Sequence, residues 1–170
     1  MKLLKDKYGV MVFGVCLSLL LDQITKAVII AHFPKDGFLK IIPGFFDIYH
    51  AHNEGAAFGL FKGNPVLFFL IVSTLAVGFI FYYFIRLERH HLLMAGSLAL
   101  ILGGALGNML DRVRHGFVVD FLRFYLGERS WPTFNVADIA IVLGVLAFAV
   151  DMLRTEMQMR RENTPGHAEA

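Results

Sequence analysis

Four long apolar runs divide this chain, and polar segments of unequal length separate them. The most regular run, residues 66–85, has twenty residues and no charge. About 20 apolar residues are needed for a helix to cross the hydrocarbon core of a bilayer. The other three runs cover residues 9–31, 92–110 and 134–153. We therefore predict four transmembrane helices within a single membrane domain that extends over residues 1–170.

The polar segments predict the rest of the architecture. Two of them, 32–65 and 111–133, are long loops, and residues 154–170 form a polar tail that we expect to fray. In the first loop, turn signals containing Pro and Gly separate β-prone pieces, which predict a small sheet. These pieces cover residues 39–42, 45–49 and 56–61. The expected fold class is an all-α integral membrane protein with four transmembrane helices and a small extracytoplasmic β-sheet cradle at the membrane surface.

Composition supports a membrane protein and narrows the chemistry. Hydrophobic residues make up 56% of the chain, and the mean hydropathy of +0.60 exceeds that of typical soluble proteins. A net charge of only +2, without a basic stripe, predicts no nucleic-acid partner. Cys16 lies inside the first apolar run, where we interpret it as a small apolar filler. His90 and His91 are adjacent on a polar turn, where we expect their side chains not to converge, so neither a metal nor a cofactor is predicted.

The first apolar run and the basic residues predict the orientation. Three lysines precede this run, as in a secretory signal peptide, but no A-x-A-like site follows it, so we interpret it as a retained helix. The termini and the turn at 86–91 hold eight Lys and Arg residues, and the two long loops hold seven. Short segments govern the positive-inside rule. We therefore expect both termini to face the cytoplasm and both long loops to face outward.

Aspartates near the ends of the apolar runs are the candidates for chemistry, since carboxylates at the edge of hydrocarbon are costly unless solvated, paired or neutralised. Asp120 lies alone in the apolar piece VVDF, and Asp138 lies three residues after Asn135, a good N-cap for the fourth helix. Two such carboxylates, brought together, would share one proton. The ionised one could then activate a water while the neutral one protonates a carbonyl oxygen. We hypothesise a hydrolase with two catalytic carboxylates.

Simpler roles for the acids stay open at this point. Asp138 could serve only as an acid in the first turn that stabilises its helix, and Asp111 could form a structural ion pair with the adjacent Arg112. Asp22 and Lys26 stand at i and i+4, the favourable order for a helical pair. That pair is either self-neutralising or part of a site.

Two further motifs have a structural and a functional interpretation. In HNEGAAFG, Asn53 and Gly55 suit the binding of an extended peptide, but they equally suit an ordinary turn. The third run contains Gly103 and Gly107 at G-x-x-x-G spacing, which lets a neighbouring helix approach closely. Asn108 lies just beyond, three residues before Asp111, so the two share one helix face.

Two other classes of protein compete with the hydrolase hypothesis. An ion-coupled transporter also uses intramembrane acids, but it predicts acids near the bilayer midplane and broken helices in paired halves. Here the acids cluster toward one face, and no duplication is visible. A non-enzymatic assembly factor could use the outer sheet to hold a partner, but it leaves Asp120 and Asp138 without a role.

Five short motifs occur in an order that resembles the bacterial lipoprotein signal peptidase family, signal peptidase II. They are D-Q-x-x-K (22–26), N-x-G-A-A-F (53–58), G-G-A-L-G-N-x-x-D-R (103–112), V-V-D-F (118–121) and F-N-x-A-D (134–138). The resemblance implies a four-span intramembrane aspartyl endopeptidase of the bacterial cytoplasmic (inner) membrane. Its substrates would be prolipoproteins, cleaved just before a diacylglyceryl-modified cysteine.

The same resemblance assigns expected roles to individual residues. Asp120 and Asp138 match the catalytic dyad of the family. Positions that line or shape the site are matched by Asn53, Gly55, Asn108, Arg112, Asn135 and Ala137, and supporting positions by Asp22, Lys26, Gly107 and Asp111. The resemblance further implies inhibition by globomycin-type compounds, contact with membrane lipids, and no cofactor. We expect a monomer.

Overall fold

The computed structural model describes residues 6–55 and 65–162, which form four long helices and a small antiparallel sheet. The helices are α1 (Lys7–His32), α2 (Pro65–Arg86), α3 (Leu92–His115) and α4 (Val136–Glu162). Each is long and apolar enough to cross a membrane. The predicted four spans and the predicted fold class are confirmed.

Two helices continue beyond their predicted ends. Helix α3 runs five residues further than expected, to His115, and ends at Gly116, whose φ of 79° gives a left-handed C-cap. Asp111 and Arg112 are therefore helical and not part of the loop. Helix α4 continues to Glu162, so fraying from residue 154 was a wrong prediction for 154–162. The end of the tail, 163–170, lies outside the described residues.

Helix α3 is the centre of the bundle. It packs against α1, α2 and α4, and 56% of its membrane-spanning stretch is buried, compared with 6% for α2. The predicted close approach at the glycines is confirmed at Gly107, where a Cβ atom would lie 2.5 Å from Oδ2 of Asp22 on α1 and 3.4 Å from Cβ of Ala137 on α4. Small residues on α3 thus let both neighbours come near its axis.

The sheet joins the two long loops. Its strands β1 (Phe38–Ile42), β2 (Phe46–Asn53), β3 (Val118–Leu126) and β4 (Arg129–Ser130) are antiparallel in the order β1-β2-β3-β4. The first two confirm two of the predicted pieces, while the third, 56–61, lies outside the described residues. The prediction confined the sheet to the first loop, but β2 pairs with β3 from the second, which sets Ala51 opposite Asp120.

The two ends of the bundle differ in construction. At one end, here called the sheet end, the loops form β1 to β4. At the other, the turn end, residues 87–91 link α2 to α3. There the buried Nζ of Lys7 donates to the carbonyl oxygens of Phe84 at 2.8 Å and Ile85 at 3.2 Å, and also to that of Leu87. An ammonium at this place satisfies the free carbonyls at the C-terminus of α2.

The histidine turn at this end is more compact than expected. One ligand atom from each of Glu88, His90 and His91 lies within 4.8 Å of the others, so the expectation that the two histidines do not converge was wrong. The side chains of Glu88 and His90 are exposed to solvent.

Candidate active site

The two aspartates that stood out in the sequence come from different elements and meet through one residue. Asp120 lies on β3 with 2% of its surface exposed, and the half-buried Asp138 lies in the first turn of α4. The side-chain Nδ2 of Asn135 donates to Oδ1 of Asp120 at 2.6 Å, and its backbone N–H donates to Oδ2 of Asp138 at 3.1 Å. A single asparagine, itself fully buried, therefore binds both carboxyl groups.

The start of α4 explains why Asn135 takes this position. The backbone N–H of Asp138 donates to Oδ1 of Asn135 at 3.0 Å, and the reverse bond returns from Asn135 to the Asp138 carboxylate. This reciprocal pair satisfies two N–H groups that a helix start leaves free. The predicted N-cap and first-turn acid are confirmed. Asp138 also has a partner outside α4, since Nδ2 of Asn108 donates to its Oδ1 at 2.8 Å.

Each carboxyl group receives a second donor from an asparagine on another element. For Asp138 this donor is Asn108 on α3, and for Asp120 it is Asn53 at the end of β2, with Nδ2 of Asn53 2.9 Å from Oδ2. Amide donors hold a carboxylate oxygen in place without adding a compensating charge. The two acids are therefore oriented by neutral groups and stay available for proton transfer.

Burial dominates the electrostatics at Asp120. Burial, as the largest contribution, and the negative charge of Asp138 together raise the pKa of Asp120 to about 7, while hydrogen bonds from Asn53 and Asn135 act in the opposite direction. The negative charge of Asp138 thus disfavours ionisation of Asp120. Asp120 can therefore retain its proton close to neutral pH, and a protonated carboxyl group beside a second one is what general acid–base chemistry with two carboxyls needs.

A buried lysine connects this pair to the supporting acids. Nζ of Lys26 lies 2.9 Å from Asp22, 2.9 Å from Asp111 and 3.0 Å from Oδ1 of Asn108. Asp22 and Lys26 are thus paired as expected, and the pair also reaches Asn108, which contacts Asp138. The expected ion pair of Asp111 with Arg112 was wrong, since the partner of Asp111 is Lys26.

The supporting acids also fix the backbone beside the aspartates. Oδ1 of Asp22 accepts a hydrogen bond from the backbone N–H of Ala137 at 3.0 Å, and Oδ2 of Asp111 accepts one from Val119 at 3.1 Å. These bonds tie down the residue before Asp138 and the residue before Asp120. Helices α1 and α3 therefore position the beginnings of α4 and β3 through buried carboxylates.

The remaining predicted residues lie at the rim. Arg112 sits with its guanidinium 4.6 Å from the ring centre of Phe69 on α2, within electrostatic range of Asp138 and Asp120. Gly55 has a φ of 79°, and its N–H donates to Oδ1 of Asn53 at 2.9 Å, so a local turn is present here. That turn leaves Nδ2 of Asn53 directed to Asp120. Residues 56–58 of this motif lie outside the described part of the chain.

Gln23 belongs to the hydrogen-bond network of the supporting acids, although it was not among the predicted site residues. Nε2 of Gln23 lies 3.1 Å from both Oδ2 of Asp22 and Oδ1 of Asp111, and its Oε1 accepts a bond from Arg114 at 3.0 Å. The signal was present in the motif D-Q-x-x-K. However, its partners Asp111 and Arg114 lie on α3, more than eighty residues away in sequence.

The sequence of this chain is similar to those of known proteins. A family model described as signal peptidase (SPase) II matches residues 14–154. The lipoprotein signal peptidase of Syntrophus aciditrophicus (strain SB) is 46% identical over 146 residues, covering 84% of this chain and 91% of that relative. The lipoprotein signal peptidase of Geobacter sulfurreducens is 43% identical over 155 residues, covering 90% and 97%.

A solved structure agrees with the sequence relatives. A bacterial membrane enzyme determined at 1.9 Å resolution superposes with a TM-score of 0.78 at 32% identity, covering 85% of this chain and 93% of that one. A second bacterial membrane enzyme, at 2.3 Å, gives a TM-score of 0.78 at 29% identity, with 95% of both chains covered. The match of the family model over most of the chain, together with these relatives, leads to one conclusion: the chain belongs to the signal peptidase II family.

Proposed function

We propose that this protein is a lipoprotein signal peptidase, an intramembrane endopeptidase that uses Asp120 and Asp138 to hydrolyse a peptide bond. The observation that carries the proposal is the hydrogen bonding of both carboxyl groups to Asn135. This arrangement supports a shared proton at the junction of a membrane helix and an outer strand. The relatives named lipoprotein signal peptidase support a prolipoprotein substrate.

The proposed reaction is removal of a signal peptide just before a diacylglyceryl-modified cysteine. One carboxylate of the pair takes a proton from a water molecule as that water attacks the scissile carbonyl carbon. The other, still protonated, donates its proton to the carbonyl oxygen, which gives a neutral tetrahedral intermediate. The intermediate collapses when the leaving nitrogen receives a proton from one carboxyl group, a hydroxyl of the intermediate returns its proton to the other carboxylate, and the carbon–nitrogen bond breaks. One proton then remains on the pair for the next cycle.

The surroundings of the pair support this chemistry. Asn53, Asn108 and Asn135 hold the carboxyl oxygens in fixed directions before substrate arrives, and preorganised donors lower the barrier because they need no rearrangement during reaction. Arg112 carries a positive charge close enough to the two acids to interact with them, and it suits the orientation of a substrate carbonyl or lipid oxygen.

The proposal includes a location and partners. Both termini would face the cytoplasm and the aspartates the outer face of the bacterial inner membrane, where a lipid-anchored substrate presents its modified cysteine. Globomycin-type compounds would compete for the site, membrane lipids would surround α1 to α4, and the protein would act as a monomer. The ion-coupled transporter is disfavoured, since Asp120 lies on a strand and Asp138 in the first turn of a helix, away from any midplane position.

The test is to change each aspartate separately to asparagine and to follow cleavage of one lipid-modified prolipoprotein in detergent. Asp120→Asn and Asp138→Asn keep the side-chain volume but remove the ionisable proton, so we expect the rate to fall at least ~100-fold in each. Asp36→Asn is the matched control, because Asp36 is an exposed aspartate at the turn between α1 and β1, at the same end of the bundle. If the variant at 120 or 138 cleaved at the rate of the control, the substituted aspartate would not be a catalytic residue.

A further inference from the structure

A large groove opens at the turn end of the bundle, far from the aspartates. It has a volume of about 980 Å³ and lies between the last turns of α2 and the second half of α4, with Met94 of α3 at its base. Its walls are mostly apolar and aromatic, for example Tyr83 on α2 and Met152 on α4. Both helices pack on α3, and no comparable packing joins α2 to α4 among the described residues, so the groove is a structural gap between them.

The charges that line the groove are mainly acidic. Glu88, Asp151 and Glu156 contribute carboxylates, and Arg86 is the one arginine among the lining residues, stacked 4.4 Å from the ring centre of Tyr82. Asp151 forms no ion pair with any residue in the described ranges 6–55 and 65–162. Glu156 pairs with Arg160 at 2.6 Å, but both side chains are largely exposed, and such pairs contribute little.

This acidic lining interrupts an otherwise basic end of the molecule. Outside the groove, Arg89, Arg154 and Arg161 belong to the same end, where the positive-inside rule accounts for basic residues. Acidic side chains that face an apolar groove have no such explanation. They favour a cationic occupant that also carries apolar surface, and they disfavour an anionic lipid headgroup.

The distance from the aspartates limits what this occupant can be. Asp151 follows Asp138 by thirteen positions on the same helix, which corresponds to ~20 Å along its axis. A signal peptide has a basic n-region followed by an apolar h-region of 7–15 residues, which spans roughly 10–22 Å as a helix. A signal peptide whose cleavage site lies at the aspartates therefore reaches the groove with its basic end.

We propose that the groove between α2 and α4 binds the n-region of the substrate's signal peptide, with Glu88, Asp151 and Glu156 facing its lysines or arginines. The inference rests on the proposed function, and it adds a second recognition site at the end of the bundle opposite the chemistry. Binding at both ends would align the h-region along α4 and set the scissile bond at the aspartates. Substrates would then be selected partly by n-region charge.

The experiment compares two enzymes and two peptides. The full-length protein and the triple variant Glu88→Gln, Asp151→Asn, Glu156→Gln are placed in nanodiscs of uncharged phosphatidylcholine. Fluorescent signal peptides with an identical 12-residue apolar segment carry either three lysines or three serines at the N-terminus. We expect the lysine peptide to bind about tenfold more weakly to the triple variant, as expected for the loss of two or three exposed charge pairs, and the serine peptide to bind both proteins equally.

Controls separate this inference from its alternatives. Glu128→Gln removes an exposed acid at the sheet end and should bind both peptides like the parent protein. Unchanged affinity of the lysine peptide for the triple variant would overturn the inference. So would an equal loss for both peptides, which would indicate a structural role for the acids, or a difference that appears only with added anionic lipid, which would make the groove a lipid site.

The proposed function is measured in the same samples by cleavage of a lipid-modified prolipoprotein. If the triple variant bound the lysine peptide as tightly as the parent protein does, and the parent protein cleaved normally, the groove inference would fail and the aspartate mechanism would stand. If the lysine peptide bound about tenfold more weakly to the triple variant but the parent protein cleaved no prolipoprotein, the groove inference would be supported and the proposed peptidase activity would be refuted.

Discussion

The sheet end and the turn end of the bundle treat buried charge in opposite ways. At the sheet end, Asp22, Lys26 and Asp111 are almost completely buried and satisfy one another, and the network continues through Asn108 to the aspartates. At the turn end, the buried Lys7 donates to carbonyl oxygens and lies over the rings of Tyr8 and Phe84, and the acids that line the groove are half-buried or exposed. The first arrangement is fixed before any substrate arrives, which chemistry requires. The second is open, which suits the binding of variable sequences.

Two lysines of equal burial give the sharpest contrast. Lys26→Met would leave Asp22 and Asp111 as buried acids without a positive partner, and we expect a loss of about 3–5 kcal/mol in the free energy of unfolding. Lys7→Met removes the cation at the C-terminus of α2 without leaving a buried acid unpaired, and we expect a loss of about 1–2 kcal/mol. Thermal unfolding of both variants in one detergent measures the difference.

The comparison has its own internal control. In Lys26→Met combined with Asp22→Asn and Asp111→Asn, no unpaired charge remains, so most of the lost stability should return. If Lys7→Met unfolded at a lower temperature than Lys26→Met, the buried ion network would not be what distinguishes the two ends.

Two glycines of α3 test how tightly each end is packed. A Cβ at Gly107 would lie 2.5 Å from Oδ2 of Asp22, whereas a Cβ at Gly96, nearer the turn end, would meet only a methyl group of Val10 at 3.6 Å. We expect Gly107→Ala to cost about 1–3 kcal/mol through forced displacement and to slow cleavage. Gly96→Ala should be neutral or stabilising by up to ~1 kcal/mol, since alanine is the better helix former. Equal melting temperatures would contradict this difference.

The pH dependence of cleavage gives the smallest of the expected effects. Because burial and the charge of Asp138 raise the pKa of Asp120 to about 7, Asp120 loses its proton as the pH rises through this region, and kcat/KM should fall there. Asn53 donates to Asp120 and so favours its ionised form. Asn53→Ala should therefore move the alkaline limb to higher pH. The triple variant of the groove should not move the alkaline limb of the kcat/KM profile. A shift of this limb to lower pH in Asn53→Ala would refute the role of Asn53 in favouring the ionised form of Asp120.

The spans and the helix start at Asn135 were within reach of the sequence, because both depend on local signals. Apolar length predicts a transmembrane helix, and Asn135 with Asp138 three residues later predicts a reciprocal cap, which the structure contains. The end of α3 was missed although its signal was present. Gly116 marks a C-cap, but the charges at Asp111 and Arg112 suggested an earlier end.

Long-range partners were out of reach for a different reason. Asp111 has an arginine next to it in sequence, yet it pairs with Lys26, because the packing of α1 on α3 decides which side chains meet. The same holds for Gln23 and for the pairing of β2 with β3. The candidate catalytic residues could be named from motifs. That Asn135 binds both acids depends on how β3 and the start of α4 come together.

The dependence on Asn135 also has a consequence for biogenesis. Asn135 and Asp138 lie at the beginning of the last helix, so a nascent chain that has inserted α1 to α3 carries Asp120 without either partner. Competence for proteolysis would then arise only after the start of α4 has been synthesised. Chains that have not yet reached α4 would then be harmless to neighbouring proteins in the membrane.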